Sequence, residues 1–309
     1  MIKEVFKMRV FMTGSTGNIG TLVAKELIKK GIDVLGLTRS QKSADKLKAM
    51  GGTPVMGTLE DIDVLKQSAK ETDATLHLGF VNDFDHFAEA SRVDAEAIAA
   101  MGEVLKGTNK PLIVTAGTAG LDPNHILTEN DMGFEGVEKI MPRQSEFLAR
   151  QLIETGVNAN VVRLAPSVHG NGGYGIISLI IFQAKKMGAV AYFGDGQNRW
   201  NAVNREDAGH LFVLVLDYAL QQEHSLHIFN AAAEGQIKTK DIADKISKKL
   251  SLPLKAQPAL DFENLSTEQA FDVNNLFGLD IPASSELTQK ETGWKPEHIG
   301  LLEDLEENL

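Results

Sequence analysis

Two periods of apolar and polar positions run along the first half of the chain. Short apolar runs mark strands, and stretches with apolar positions three and four apart mark helices. Val10-Phe11-Met12 is the first strand. Thr21 to Lys30 follows as a helix, with Leu22, Val23, Leu27 and Ile28 on one face, Lys29 and Lys30 at its negative end, and Gly31 as its stop. Asp33 to Leu37, Pro54-Val55-Met56, Ala74 to Leu78, Leu112 to Thr115 and Asn160 to Leu164 read as further strands. Between them Ser43 to Met50, Asp61 to Lys70, Phe84 to Leu105 and Gly136 to Thr155 read as helices, the last kinked or restarted at Pro142. The alternation predicts an α/β fold, a doubly wound parallel sheet with helices on both faces.

Past about residue 165 the pattern changes. Gly and Pro become frequent and the runs shorten, with Tyr192-Phe193 and His227-Ile228-Phe229 as late strands. Asn204 to Leu220 and Thr239 to Leu250 read as helices. The expected division is a first domain over 1–165 and a smaller substrate lobe over 166–309, with the segment about 194–232 packing back on the first sheet.

Composition narrows the class. The chain has 309 residues, 43% hydrophobic and 24% charged, as in ordinary globular enzymes. A net charge of -11 disfavours nucleic acid and anionic membranes as partners. No cysteine is present, which excludes disulfides, thiolate catalysis and Cys-based metal sites. The eight histidines lack any paired ligand spacing, so no metal is expected. The longest apolar run, Ile176 to Phe182, is far short of the ~20 residues of a membrane span. No apolar leader stands at the N-terminus, and a cytoplasmic location is expected.

Chemistry enters at the end of the first strand. Thr13-Gly14-Ser15-Thr16-Gly17-Asn18-Ile19-Gly20 joins it to the first helix. Gly14 permits a tight turn, Gly17 lets a pyrophosphate approach the backbone, and Gly20 lets the helix lie close to the sheet. Free N–H groups at the helix start face the phosphates. In this strand–turn–helix context the motif predicts a dinucleotide-binding Rossmann fold. The second strand ends in Thr38-Arg39-Ser40, where an NAD site usually carries Asp or Glu for the ribose 2′-hydroxyl. Arg39 and Ser40 suit a 2′-phosphate instead, so NADP(H) is the expected cofactor.

These motifs resemble the extended short-chain dehydrogenase/reductase superfamily, whose members include NAD(P)-dependent epimerases and dehydratases. Gly57-Thr58-Leu59-Glu60-Asp61 is similar to the family's loop beside the adenine, and Asp73 to Gly79 to its fourth strand. Arg163-Leu164-Ala165-Pro166-Ser167-Val168-His169-Gly170 resembles its Arg-Pro-x-x-x-Tyr-Gly stretch. Gly194-Asp195-Gly196, Trp200 to Ala208, Phe229-Asn230-Ala231 and Gly293-Trp294-Lys295-Pro296 are familiar from its second lobe. The resemblance implies cofactor contacts from Thr58, Leu59, Leu78, Gly79, Phe80, Thr115, Pro166 and Val168 beside the Gly-rich turn.

One departure matters. The family's Tyr-x-x-x-Lys pair belongs on the helix after strand five, yet none of the three tyrosines (Tyr174, Tyr192, Tyr218) lies there. Lys139 and Arg143 stand at that spacing, resembling an atypical subgroup with a basic pair. Arg143 cannot give up a proton near neutral pH but can hold a ribose or an oxyanion. Lys139 can donate one if desolvated beside another cation, and is otherwise a solvated lysine. Thr118 or Thr115 fills the family's Ser/Thr position, and His169 stands where the family often has Tyr. His86 and His125 are weaker candidates. Trp200 with Asn201 either roofs the substrate cleft or packs the lobe's core.

The expected function is NADPH-dependent hydride transfer to a small carbonyl or related unsaturated substrate. Thr118, Lys139, Arg143 and His169 are the candidate catalytic residues, with a held water as a further proton source. A non-enzymatic NADP(H)-binding sensor or partner-binding module is the alternative, and an epimerase or dehydratase with retained cofactor the third. Helices around Arg92 to Leu105 and Gln144 to Thr155 are a candidate homodimer surface.

Overall fold

A computed structural model describes residues 7–81, 86–118, 125–131, 144–221, 227–260 and 273–309. β1 (Arg9–Thr13) buries Val10, Phe11 and Met12 completely. A strand apolar on consecutive positions is one covered on both faces. The alternation then runs α1 (Gly20–Lys29), β2 (Asp33–Thr38), α2 (Gln41–Ala49), β3 (Thr53–Met56), α3 (Ile62–Glu71) and β4 (Ala74–His77). It continues through α4 (Phe87–Leu105), β5 (Leu112–Gly117), α5 (Ser145–Glu154) and β6 (Ala159–Leu164). The helix expected from Ser43 starts at Gln41 because Ser40 and Ser43 cap it reciprocally, each hydroxyl accepting from the other's backbone N–H.

Next come β7 (Ser167–Gly170), β8 (Gly173–Tyr174), α6 (Ile177–Met187), β9 (Val190–Phe193), β10 (Arg199–Asn204) and α7 (Arg205–Ala219). The chain ends with β11 (Ile228–Ala231), β12 (Glu234–Lys238), α8 (Thr239–Leu250), β13 (Leu254–Gln257), α9 (Val273–Leu276), α10 (Glu286–Thr292) and α11 (Leu301–Asn308). Three sheets result. The large one has seven strands in the order β11-β6-β5-β4-β1-β2-β3. β1 pairs in parallel with β2 and β4, β2 with β3, and β4 with β5. The fold is therefore the doubly wound α/β arrangement that the periodicity predicts. The order of the chain reverses between β1 and β4, and ligands of such sheets bind beyond the carboxyl ends of the strands at that point.

Contacts divide the chain into two compact units. The first comprises Met1–Ala116, Arg143–Val162 and Gly209–His227. In it α4 packs on α3 and α5, closely enough at Gly102 that an added Cβ would meet Leu152 at 2.5 Å. α7 lies along α1, with Gly209 against Leu22, His210 bonded to Glu26 and Lys30 paired with Asp217.

The second unit comprises Gly117–Pro142, Arg163–Ala208 and Ile228–Leu309. It holds a four-stranded sheet, β12-β10-β7-β8, and the pair β13-β9. Ile177, Ile180, Ile181, Ile242, Ile246, Leu301 and Leu305 build its core around Trp200. Trp200 meets Phe277 edge-on at 5.3 Å and donates its indole N–H to the Leu279 carbonyl, so it is core and not a roof.

Candidate functional site

The Gly-rich turn leaves β1 where the sheet order reverses. Gly14 adopts φ +67, and a Cβ there would lie 2.7 Å from the backbone of Leu78. At Gly20 a Cβ would lie 2.0 Å from the Gly14 carbonyl oxygen. Both positions therefore need glycine, one for conformation and one for close approach. The Gly17 N–H closes the turn on the Gly14 carbonyl at 2.9 Å, and Lys46 of α2 grips the Thr16 carbonyl at 2.8 Å. α1 begins at Gly20, and Ile19 before it gives no side-chain cap. Within its first turn the Thr21 N–H donates to the Gly17 carbonyl at 3.1 Å and the Leu22 N–H to the Ile19 carbonyl at 2.9 Å, so what the start of α1 offers an anion is the positive end of the helix dipole. Thr16 and Ile19 are half-buried, and Gly17 and Asn18 are exposed. Ser15 is fully buried with its hydroxyl unpartnered. An orphaned hydroxyl, a cradle that a Cβ would fill and an uncapped helix start fit a pyrophosphate.

Arg39 and Ser40 follow β2 on exposed backbone. No carboxylate pairs with Arg39 among the described residues, and Ser40 caps α2 beside it. After β3, Thr58 gives both its N–H (2.6 Å) and its hydroxyl (2.9 Å) to Asp61. These bonds hold the Asp61 carboxyl below the usual carboxylate range and fix the loop bearing the half-buried Leu59.

Leu78, Gly79 and Phe80 follow β4 and are half-buried. Phe80 tilts against Phe87 of α4 at 5.6 Å. The Gly79 N–H donates to Thr13 Oγ1 at 2.9 Å. Thr115 donates its hydroxyl to the His77 carbonyl at 2.8 Å, a bond between neighbouring strands. Beneath these residues lies a buried chain that the motifs did not reveal. His77 stands 2.9 Å from Thr13 Oγ1 and 3.1 Å from Asp94 of α4, and Ser145 of α5 donates to Asp94 at 2.5 Å. A histidine ending an apolar strand and an aspartate on an Ala-rich helix were its legible signals.

Of the other candidates, all but His86 belong to the second unit or lie outside the described residues. Thr118 is buried and donates to Asn201 Oδ1 at 2.9 Å, while Asn201 donates to the Ile281 carbonyl at 2.7 Å. Pro166 and Val168 are half-buried around β7. His169 is 1% exposed, its Nδ1 2.9 Å from Asp304 of α11 and its Nε2 4.0 Å from Glu234 and without a hydrogen bond. Arg163, also fully buried, donates to the carbonyls of Thr128 (2.9 Å) and Asp131 (2.6 Å). His125 pairs with Asp131 at 2.9 Å, and His86 stands exposed at the head of α4. Lys139 and Arg143 lie outside the described residues. No three His, Asp or Glu side chains come together as a metal site among the described residues, and no described helix is long and apolar enough to cross a membrane.

Residues 14–167 match an NAD(P)H-binding family. An uncharacterized protein of Schizosaccharomyces pombe is 42% identical over 300 residues, which cover 96% of this chain and 98% of that one. A 4-hydroxy-2-methyl-3-oxo-4-farnesyl-3,4-dihydroquinoline-1-oxide ketoreductase of Stigmatella aurantiaca is 39% identical over 70 residues, 23% of this chain and 21% of that one. The structure of a UDP-glucose-4-epimerase from Stenotrophomonas maltophila with bound NAD and formylated UDP-arabinopyranose shares the fold, with a TM-score of 0.72, 17% identity and coverage of 97% and 96%. With its glycine turn at the reversal of a seven-stranded sheet, the chain belongs to the NAD(P)H-binding family that residues 14–167 match, and over its length to one family with the Schizosaccharomyces pombe protein.

Proposed function

We propose that the protein is an NADPH-dependent oxidoreductase that reduces a small carbonyl or related unsaturated substrate. The observation that carries the reading is Arg39, an exposed guanidinium with no carboxylate partner among the described residues, at the strand end where an NAD site needs an acid. Gly14 to Gly20 hold the pyrophosphate through backbone N–H groups. Arg39 and Ser40 take the 2′-phosphate, with the planar fork of the guanidinium matched to its oxygens. Thr58 and Leu59 border the adenine, and Leu78, Gly79 and Phe80 the nicotinamide half. When bound, the cofactor supplies hydride. Lys139 supplies the proton and Arg143 a fixed positive charge for the oxyanion, while the Thr118 hydroxyl, buried and donated to Asn201, is left out of the chemistry. We place His169 outside this chemistry, because its burial against Asp304 makes it a structural histidine. The short match to a ketoreductase favours reduction over epimerisation.

Titration with NADPH and NADH, read by nicotinamide fluorescence, tests the cofactor. NADPH is expected to bind at least about tenfold tighter, the worth of a charge-assisted contact. Equal affinities, or tighter NADH, would reject the assignment. Oxidation of NADPH over a panel of aldehydes, ketones and enones tests the reaction. Tight binding with no turnover anywhere on the panel would replace it with a non-enzymatic binding module.

A further inference from the structure

Thr13, His77 and Asp94 are 0% exposed and Ser145 is 1% exposed, and the proposed chemistry uses none of them. Polar groups at such depth are costly unless every one is paired. Four hydrogen bonds link them and the Gly79 N–H in one line. The Gly79 N–H donates to Thr13 Oγ1 at 2.9 Å, and the Thr13 hydroxyl lies 2.9 Å from His77 Nδ1. His77 Nε2 lies 3.1 Å from Asp94 Oδ1, and the Ser145 hydroxyl donates to Asp94 Oδ2 at 2.5 Å. Both carboxylate oxygens accept, so His77 Nε2 carries a proton. Thr13 Oγ1 already accepts from Gly79, so its own proton goes to an unprotonated Nδ1. An imidazolium would leave the Thr13 proton without an acceptor among the described residues. These donors therefore run inward to Asp94 from both ends, through an Nε2-protonated His77 on one side and directly from Ser145 on the other.

The two ends of this chain have functional addresses. Thr13 immediately precedes Gly14 and pairs in register with His77, and Gly79 belongs to the backbone that packs against Gly14. Ser145 opens α5, two residues past Arg143 in the sequence. We propose that His77 is a positioning residue, which couples the dinucleotide turn at Gly14 and Gly79 to the first turn of α5 through Thr13, Asp94 and Ser145. The inference rests on the dinucleotide reading given above. Unlike apolar contacts, these bonds are directional. They fix where the Gly79 peptide points and set the head of the helix that follows the basic pair.

The test is a double-mutant cycle on NADPH affinity in the full chain, with NADH substituted if it binds instead. Thr13→Val is expected to raise Kd about tenfold, since it orphans the Gly79 N–H and His77 Nδ1. Thr13→Ser, which keeps the hydroxyl, should stay within about threefold. Ser145→Ala should raise Kd about threefold or more, and the double variant should differ from the product of the singles by at least as much. Unchanged affinity in Ser145→Ala, or strict multiplicativity, would overturn the coupling. A second readout needs no ligand. Ring nitrogen shifts of His77 should show the neutral Nε2–H tautomer, and Ser145→Ala should move both those shifts and the Gly79 amide resonance. A Gly79 amide indifferent to Ser145→Ala overturns the inference even if Thr13→Val fails to fold. If wild-type protein binds neither dinucleotide, the proposed function fails while the resonances still decide this inference.

Discussion

Gly20 has no room for a side chain, with an added Cβ 2.0 Å from the Gly14 carbonyl oxygen. Gly20→Ala must push α1 off the turn, at the ~1–3 kcal/mol typical of overpacking. The expected outcome is a lower urea midpoint together with NADPH binding weakened more than about tenfold, whereas intact binding would place the phosphates elsewhere. Arg39→Ala should weaken NADPH by about 10–100-fold and leave NADH unchanged, because only the 2′-phosphate needs the guanidinium. Loss of both cofactors alike would contradict that role. His227 gives a pH prediction. Desolvation by burial holds its imidazole below the ordinary range, and a backbone bond with Ala159 only partly offsets this. The unfolded chain, titrating near ~6.5, therefore takes the proton first. Stability is full above about pH 6.5 and declines as pH falls through the folded value. Urea unfolding of His227→Gln should show a shallower loss from about pH 7 to about pH 5, and equal slopes would refute the linkage. At this scale legibility follows sequence distance. The glycines and Arg39 declare themselves by spacing inside one strand–turn–helix unit. His77, Asp94 and Ser145 meet across 17 and 51 residues, and no local pattern joins them.

Elements were legible where one period ruled a stretch. β1 to β6 and the helices between them alternate cleanly, since a parallel strand covered on both faces is a short apolar run and its helices carry one apolar stripe. In the second unit the signals overlap. Ile176 to Phe182 reads as a bare apolar run, yet Ile177, Ile180, Ile181 and Ala184 are the buried positions of α6, spaced three and four apart. β7, β8, β10 and β12 are short and interrupted by glycine or polar residues, and β10 finds its partners β7 and β12 across long separations. α11 is short as well, and tertiary contacts hold it. His169 bonds Asp304, the Tyr174 hydroxyl lies 3.4 Å from the Asp304 carbonyl, and Glu234 accepts from the Leu301 N–H at 2.6 Å. Asp304→Ala orphans a buried imidazole, for which about 1–3 kcal/mol is expected. Amides of α11 should then exchange faster than those of α8, and unchanged exchange would show that the His169–Asp304 bond does not clamp the helix.

At the scale of the whole molecule, chain order and structural units diverge. The first unit takes its last piece from Gly209–His227, after the chain has built much of the second. A cut at 165 alone separates α7 from the helix it lies along, which is the reason to expect the segment about 194–232 to pack back on the first sheet. α7 carries Leu211, Phe212, Val213, Val215 and Leu216, all at 0% exposure. Burial of each such side chain is worth ~1.5–3 kcal/mol, so together they approach ~10 kcal/mol. That sum is comparable with the entire net stability of a domain, ~5–15 kcal/mol. Beside it, the ion pairs of α7 with α1, Glu26–His210 and Lys30–Asp217, are half-exposed and contribute little. A fragment of residues 1–165 should therefore keep the glycine turn and Arg39 yet fail to fold: it should aggregate on expression, or lack a cooperative urea transition and dinucleotide binding. Appending residues 205–221 through a flexible linker should restore part of the transition, because the missing apolar face is then supplied in cis. A soluble, cooperatively folded 1–165 fragment that binds dinucleotide would show that α7 is dispensable and that the first unit ends near the composition change.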